Sequence, residues 1–280
     1  MLQPNFFNSI FVFPILNIIA LYHYLFSLLH LPGTLGFSII ALTVTVRLIL
    51  HPFFKQQMET SQKMQDIKPH IDKLSKKHKG DAKKIQEEQM RLYQEAGINP
   101  AAGCLFMIIQ MPVFIALYQT LQLFFLADKV KVIKAMNSAL YLPFLHFKAL
   151  DAWFFGVNLA ATPSQVKSIF IYLIPLVTAL LQYFQTQSTM SSMQQPATSE
   201  ITTGKDTDKK SDTAGDFQKA MNTQMKYVFP LMIGWFALRM PIGLALYWNI
   251  FSIFSIIQYE MHKRQTTKKS GLVEVGQKLD

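Results

Sequence analysis

Long apolar stretches alternate with strongly charged segments along this chain. Four apolar stretches, near 35–54, 101–126, 168–187 and 219–259, reach or exceed the ~20 residues that an α-helix needs to cross a bilayer. The last stretch is too long for one helix, and it is interrupted at 238–243, where an arginine, a proline and a glycine fall together. The pattern therefore predicts an all-α, polytopic membrane protein with a bundle of five transmembrane helices.

The predicted spans begin and end where apolar runs meet polar or helix-breaking residues. In chain order they are 35–54, 99–126, 167–187, 219–240 and 241–262. The second span opens at Asn99-Pro100, where asparagine is a favoured helix cap and proline fits the first turn. The fourth and fifth spans form a hairpin with almost no external loop.

Segment 55–98, between the first two spans, carries ten basic and seven acidic residues. Its apolar residues form two stripes with helical spacing, and the turn between them holds a glycine and a capping aspartate. The first stripe is Ile67, Ile71 and Leu74, the second is Ile85, Leu92 and Ala96, and the turn is Lys79-Gly80-Asp81. We expect an antiparallel helical hairpin, because a simple connector, the alternative, needs far fewer residues.

The basic residues predict the orientation of the chain. Segments 55–98, 188–221 and 263–280 hold nineteen of the 27 Lys and Arg residues, whereas residues 1–46 hold none. By the positive-inside rule the hairpin and the C-terminus are cytosolic and the N-terminus is outside, in a cell (inner or plasma) membrane. Segment 188–218, rich in Ser, Thr, Gln and Lys, is expected to be a mobile cytosolic loop, and 263–280 a basic cytosolic tail.

Two further segments are expected at the outer surface. Segment 127–166 carries Tyr141, Trp153, Phe154 and Phe155, which are typical of an interfacial aromatic belt. In region 1–34 the polar residues between Pro14 and Leu31 share one helical face, which favours an amphipathic helix lying on the membrane. A sixth span at this position is the competing interpretation.

Arg47 is a charge inside the first predicted span. It lies twelve residues from the outer end of that span and seven from the cytosolic end, which is too deep for simple snorkelling to the surface. A charged side chain at the centre of a transmembrane helix costs roughly 2.5–3.5 kcal/mol on insertion scales. We infer that Arg47 has a functional role that outweighs this cost.

Several kinds of chemistry have no support in the sequence. The apolar spans contain no Asp or Glu apart from Glu260 at the end of the fifth, and the seven histidines avoid the centres of the spans. There is no metalloprotease HExxH motif or phosphate-binding glycine loop. The lone cysteine, Cys104, excludes an intramolecular disulfide. We therefore predict no enzymatic activity, no catalytic residues, no metal site and no cofactor.

Three sequence blocks together resemble the YidC/Oxa/Alb membrane-insertase family in a short, five-span form. The blocks are TVTVRLILHPFFKQQMETSQKMQDIKP, LYQEAGINPAAGCLFMIIQMPVFIALY and PIGLALYWNIFSIFSIIQ. They contain the intramembrane Arg47, the Asn99-Pro100 and Gln110-Met111-Pro112 steps, and the Pro-x-Gly-Leu-x-Leu-Tyr-Trp opening of the last span. The chain departs from the family pattern at Phe106, where proline is frequent, and at Ile242, where alanine or serine is usual.

The resemblance implies a hydrophilic groove within the bundle, open to cytosol and lipid and closed on the outer side. By this resemblance the groove is lined by Arg47, Thr43, Gln110, Gln182 and Trp248, and Lys63, Met64, Lys68 and Pro69 of the hairpin recruit substrates. Gln110 and Gln182 are equally well explained as hydrogen-bond partners between helices, and Trp248 as a packing or belt residue.

The resemblance also implies an activity and partners. A membrane protein insertase would accept nascent membrane proteins in the groove and release their helices sideways into lipid. Its partners would include the ribosome, the Sec translocon, the signal-recognition machinery and anionic lipids bound by the basic tail. The alternative is a small-solute or ion transporter that uses Arg47 as an anion site.

Overall fold

A computed structural model describes residues 2–78, 81–99, 102–124, 126, 128–166, 168–190 and 223–277. Helices dominate this part of the chain. They are α1 (Phe13–Leu28), α2 (Thr34–Ile49), α3 (His51–Lys77), α4 (Ala82–Glu95), α5 (Ala102–Leu123), α6 (Lys129–Asn137), α7 (Ile169–Met190), α8 (Phe229–Ala237) and α9 (Ile242–Gln277). Two strands, β1 (Trp153–Phe154) and β2 (Val157–Asn158), pair antiparallel. The prediction of an all-α membrane protein is confirmed at this level.

The chain clusters into two compact units. The first comprises Met1–Pro52, Met107–Gln182 and Leu231–Ile257, and the second comprises Phe53–Phe106, Tyr183–Pro230 and Gln258–Asp280. Each unit therefore combines segments that are distant in the sequence.

Three helical stretches are long and apolar enough to cross a membrane, namely Asn8–Leu28, Ile169–Ser188 and Ile242–Gln265. A fourth candidate consists of Thr34–Ile49 and His51–Ile71, which are long and apolar enough only when taken as a pair. Helix α5 has 22 residues, whereas the fourth predicted span has a π-helix, Gln224–Val228, followed by the nine residues of α8. Residues 219–222 lie outside the described part, and the count of five spans stays a prediction.

The first predicted span, 35–54, falls on two helices. Helix α2 ends at Ile49, and α3 begins two residues later at His51. Arg47 consequently lies in the last turn of α2, nearer to a helix end than the length of the apolar stretch suggested.

The N-terminal helix packs against two parts of the first unit. The Tyr22 hydroxyl hydrogen-bonds the Thr45 hydroxyl of α2 at 2.5 Å. On another side, the Asn17 amide donates to the Ala139 carbonyl at 3.1 Å and accepts from the Tyr141 backbone N–H at 2.7 Å. The polar stripe of this helix thus includes protein contacts. The length of Asn8–Leu28 suits a crossing as well as the predicted interfacial position.

The segment predicted to lie outside, 127–166, is folded over its described residues 128–166. Phe155 and Gly156 both have positive φ, +47° and +79°, which places them in the tight turn of the β1–β2 hairpin. The Phe154 ring is directed towards α2, because a Cβ added at Gly36 would lie within 2.6 Å of three of its ring atoms. Tyr141, Trp153 and Phe155 are exposed, as an interfacial belt requires.

The second unit has an apolar cluster between α3 and α4. Ile71, Tyr93 and Ile98 are buried together, and Met64, Ile67, Leu92 and Ala96 pack against them. The predicted cap at Asp81 is present, since its carboxylate accepts from the Lys84 backbone N–H at 3.1 Å. The cytosolic location of this predicted hairpin is a matter of topology and stays a prediction.

The predicted loop 188–218 and the predicted tail 263–280 are only partly described. Residues 191–222, which include most of the predicted loop 188–218, lie outside the described part of the chain. Helix α9 continues from the predicted fifth span through the basic tail as far as Gln277.

Candidate functional site

The Arg47 side chain is fully buried against α9. Its Nη2 donates to the Phe251 carbonyl at 2.7 Å and to the Ser255 hydroxyl. Its guanidinium carbon lies 3.5 Å from the centre of the Phe251 ring, which is cation–π geometry. One residue of α9 therefore contacts Arg47 with both its ring and its carbonyl.

These contacts offset part of the cost of burying a charge. A guanidinium taken from water needs acceptors for its N–H groups, and carbonyl and hydroxyl oxygens supply two. Ser255 is held in place by its own hydrogen bond to the Phe251 carbonyl at 3.0 Å. The arginine, the carbonyl and the hydroxyl thus form a closed triangle of hydrogen bonds.

Thr43 lies one turn before Arg47 on the same face of α2 and is also buried. Its hydroxyl donates to the Ile39 carbonyl of its own helix at 2.6 Å. Ser38 bonds Thr34 in the same way at 2.6 Å. These two hydroxyls of α2 are thus satisfied locally, without a bond to another helix being needed.

Gln110 of α5 bridges to α9. Its Nε2 donates to the Tyr247 hydroxyl at 2.8 Å. Its Oε1 is buried, with no hydrogen-bond partner within the described residues. Within the described residues, the amide nitrogen thus joins two helices, whereas the amide oxygen remains able to accept a hydrogen bond.

Gln182 of α7 makes the corresponding bridge from the third predicted span. Its Oε1 accepts from the Trp248 indole N–H at 2.7 Å. The Trp248 ring also packs edge-on against Phe114 of α5, with centroids 5.1 Å apart and an interplanar angle of 84°. Helices α5, α7 and α9 therefore meet at Trp248.

All five predicted groove residues belong to the first unit, and α9 contains or contacts four of them. Arg47, Gln110 and Gln182 each bond to α9, and Trp248 belongs to it. Thr43 contributes a buried hydroxyl one turn from Arg47. These contacts agree with the interpretation of both glutamines as hydrogen-bond partners between helices. A role of the glutamines in binding substrate stays a proposal.

Three residues of this site were missed in the sequence analysis: Tyr247, Phe251 and Ser255. They recur at intervals of four on α9, so they share a helix face. That spacing, within the block PIGLALYWNIFSIFSIIQ, was a usable signal. Thr178, which is buried one turn before Gln182, was missed in the same way.

The predicted recruitment residues belong to α3, in the second unit. Lys63 and Pro69 are exposed, whereas Met64 packs against the Ile71–Tyr93–Ile98 cluster. The Lys68 side chain is outside the described part. Met64 therefore has a structural contact, and only Lys63 and Pro69 of the described set face outwards.

The site is a cluster of polar side chains on α2, α5, α7 and α9. Within the described residues no group of three His, Cys, Asp or Glu side chains could hold a metal ion. What defines the site is a buried cation with amides, hydroxyls and aromatic rings on surrounding helices. The fold and site thus define a class: a multi-pass, α-helical membrane protein with a polar interior.

Comparison with known proteins identifies the family within that class. The profile of the 60Kd inner membrane protein family matches residues 26–269. The chain belongs to this family, also known as YidC/Oxa/Alb, as its sequence blocks indicated.

Relatives come from bacteria and from chloroplasts. "Membrane protein insertase YidC 1" of Streptococcus pyogenes is 31% identical over 234 residues, which is 82% of this chain and 67% of that protein. "Membrane protein insertase YidC" of Oceanobacillus iheyensis is 30% identical over 258 residues, 90% of this chain and 81% of that protein. "Inner membrane protein ALBINO3, chloroplastic" of Arabidopsis thaliana is 30% identical over 261 residues, 90% of this chain but 52% of that protein.

Proposed function

We propose that this chain is a membrane protein insertase that accepts nascent membrane proteins in a hydrophilic groove and releases their helices sideways into the bilayer. The observation that carries the proposal is the buried Arg47, set among polar side chains in a family with members named as insertases. The groove is lined by Arg47, Thr43, Gln110, Gln182 and Trp248.

The polar interior suits a substrate that is partly polar. An incoming segment brings charged or polar residues that must pass through hydrocarbon, where they are costly. The guanidinium attracts acidic residues, and the glutamine amides and hydroxyls offer hydrogen bonds that lipid cannot. The free energy comes from the partitioning of the substrate's apolar helix into lipid, so no covalent step or nucleotide is needed.

The other proposed contacts lie outside the groove. The hairpin residues Lys63, Met64, Lys68 and Pro69 recruit the substrate on the cytosolic side. The basic tail contacts the ribosome or anionic lipids, since both present phosphates. The Sec translocon and the signal-recognition machinery are the further proposed partners.

Replacement of Arg47 tests the proposal directly. The full chain, reconstituted in liposomes, is given a single-span substrate with an acidic translocated tail. We expect Arg47→Ala to lower insertion at least tenfold and Arg47→Lys to restore most of it, because a lysine keeps the charge. The matched control is Arg239→Ala, which removes an exposed arginine that lies over Trp235 and should leave insertion unchanged.

Crosslinking and uptake separate the two candidate activities. A photoreactive residue in place of Trp248 should form adducts with a ribosome-bound nascent chain, and a clean absence of adducts would count heavily against the groove. Solute uptake by the liposomes that depends on Arg47, with no insertion, would favour the transporter instead.

A further inference from the structure

The contacts around Arg47 suggest how the groove is kept closed between substrates, an inference that rests on the proposed function. The α9 groups that contact the guanidinium include a carbonyl, a hydroxyl and a ring, all three of them neutral. A carboxylate is a better acceptor, because it adds attraction between opposite charges and can accept from two guanidinium N–H groups at once. The one acidic residue within the predicted spans is Glu260, which is exposed near the end of the fifth, so an incoming substrate is the natural source of a carboxylate beside Arg47.

The hydrogen bonds on α9 favour this exchange. The Ser255 hydroxyl accepts from Arg47 and also donates to the Phe251 carbonyl at 3.0 Å. When the guanidinium leaves, Ser255 and Phe251 therefore keep a hydrogen bond with each other. Most of the free-energy cost of moving the guanidinium away from α9 therefore comes from the arginine, whose N–H groups need new acceptors.

The burial of the two side chains indicates the direction of approach. Arg47 is fully buried, whereas Ser255 is only partly buried. Ser255 therefore lies at the edge of the buried site. A carboxylate that reaches the guanidinium from this edge meets the serine hydroxyl first.

We propose that Phe251 and Ser255 hold Arg47 in a closed, substrate-free arrangement, and that a substrate carboxylate replaces the Ser255 hydroxyl as its acceptor. Ser255 is then a positioning residue that sets how acidic a segment must be to open the groove. We call the contacts of Phe251 and Ser255 with Arg47 the cage. Substrates compete with the cage for the same guanidinium, so a weaker cage admits less acidic substrates.

Two serine variants on α9 test the proposal. Ser255→Ala removes the hydroxyl that Arg47 contacts. The matched control is Ser252→Ala, three residues earlier on the same helix, where the serine is fully buried and its hydroxyl has no hydrogen-bond partner among the described residues. Ser255→Thr keeps a hydroxyl and should behave as the unmodified chain does.

The first readout is insertion by the reconstituted full chain. The substrate is a single-span protein with one Asp in its translocated tail. We expect Ser255→Ala to lower the substrate concentration for half-maximal insertion by about fivefold, the factor that corresponds to one hydrogen bond of ordinary net strength. Ser252→Ala and Ser255→Thr should leave that concentration unchanged.

The second readout needs no substrate. A reporter cysteine replaces Thr43 (Thr43→Cys) in a chain that also carries Cys104→Ser, and its reaction with a negatively charged maleimide is timed. Thr43 is buried one turn from Arg47, so labelling should be slow. We expect Ser255→Ala to accelerate it severalfold, and neither Ser252→Ala nor Ser255→Thr to do so.

The outcomes distinguish this proposal from the function on which it rests. Weaker or unchanged insertion by Ser255→Ala, in a chain that still depends on Arg47, overturns the cage and leaves the insertase intact. Failure of the unmodified chain to insert any substrate overturns the proposed function. Faster labelling that also occurs in Ser252→Ala or Ser255→Thr overturns the cage as well, since it reports general loosening.

Discussion

At the residue scale, the polar groups of the first unit fall into two kinds. The hydroxyls of Ser38 and Thr43 bond to carbonyls of their own helix, so they make the interior polar without joining helices. The amides of Gln110 and Gln182 bond to side chains of α9. Of these four side chains, only the two glutamines join one helix to another.

The Gln110–Tyr247 hydrogen bond should make a small contribution to stability. In a cycle of Gln110→Met, Tyr247→Phe and the double variant, we expect a coupling of about 0.6 kcal/mol, with about 1.7 kcal/mol as the upper end for membrane proteins. Unfolding in mixed detergent micelles measures it. Thr43→Val, which removes a locally bonded hydroxyl, should show no coupling to Tyr247→Phe.

Some of this site could be predicted from single residues, and some could not. Arg47 was identifiable because a charge in an apolar run is costly wherever the chain folds. Phe251 and Ser255 gave no such individual signal, since phenylalanine and serine are common in a span, and the spacing that they share with Tyr247 indicates only a common helix face. Their role depends on which helix packs beside α2, and periodicity within one segment does not specify that.

At the scale of elements, helices α7 and α8 approach closely at a glycine. A Cβ added at Gly234 would lie 2.7 Å from the Ala179 Cβ and 3.3 Å from the Pro175 carbonyl oxygen. Small residues at such contacts allow backbones to pack in membranes, where dispersion forces drive association. The third and fourth predicted spans are thus paired through this contact.

Gly234→Ala should destabilise the protein by about 1–3 kcal/mol through overpacking. Ala179→Gly alone costs about 1 kcal/mol of helix propensity, but it removes the methyl group that the new one would strike. We expect the double variant to be more stable than the sum of the two single effects by at least about 1 kcal/mol. Additive effects in detergent unfolding would show that this contact is not tight.

Asn17 joins α1 to the segment after α6 by two hydrogen bonds to backbone groups of Ala139 and Tyr141. Asn17→Ala leaves both groups without this partner, at about 1–3 kcal/mol for each that stays buried. We expect faster protease cleavage within 139–147 in detergent-solubilised protein, because cleavage requires local opening. Ser27→Ala, which loses only a bond to the His23 carbonyl of its own helix, should cleave at the original rate.

At the scale of the whole molecule, the class and family followed from the sequence, but the topology did not. Apolar length identifies helices, and Asn8–Leu28 satisfies the same criterion as Ile169–Ser188. The polar stripe that favoured an interfacial position includes Asn17, which has protein partners. Periodicity alone cannot distinguish a face turned to lipid headgroups from one turned to another segment.

Cysteine labelling decides between five and six spans. Single cysteines replace Asn5, Lys84 or Lys148, all exposed, in a chain carrying Cys104→Ser. The five-span orientation predicts labelling of positions 5 and 148 from outside the cell by an impermeant reagent, and of position 84 only after permeabilisation. Protection of position 5 together with labelling of position 148 would establish a crossing by the N-terminal helix.

Helix α9 carries Tyr247, Trp248, Phe251 and Ser255 within nine consecutive residues, and these contact groups from three other helices. A rotation of α9 by about 30° about its axis would displace side chains near its surface by about 3 Å, given a radius of about 5–6 Å. That distance is enough to break an ordinary hydrogen bond. The bonds of α9 to Arg47, Gln110 and Gln182 would then be lost together, so a turn of one helix could convert the interior between two states cooperatively.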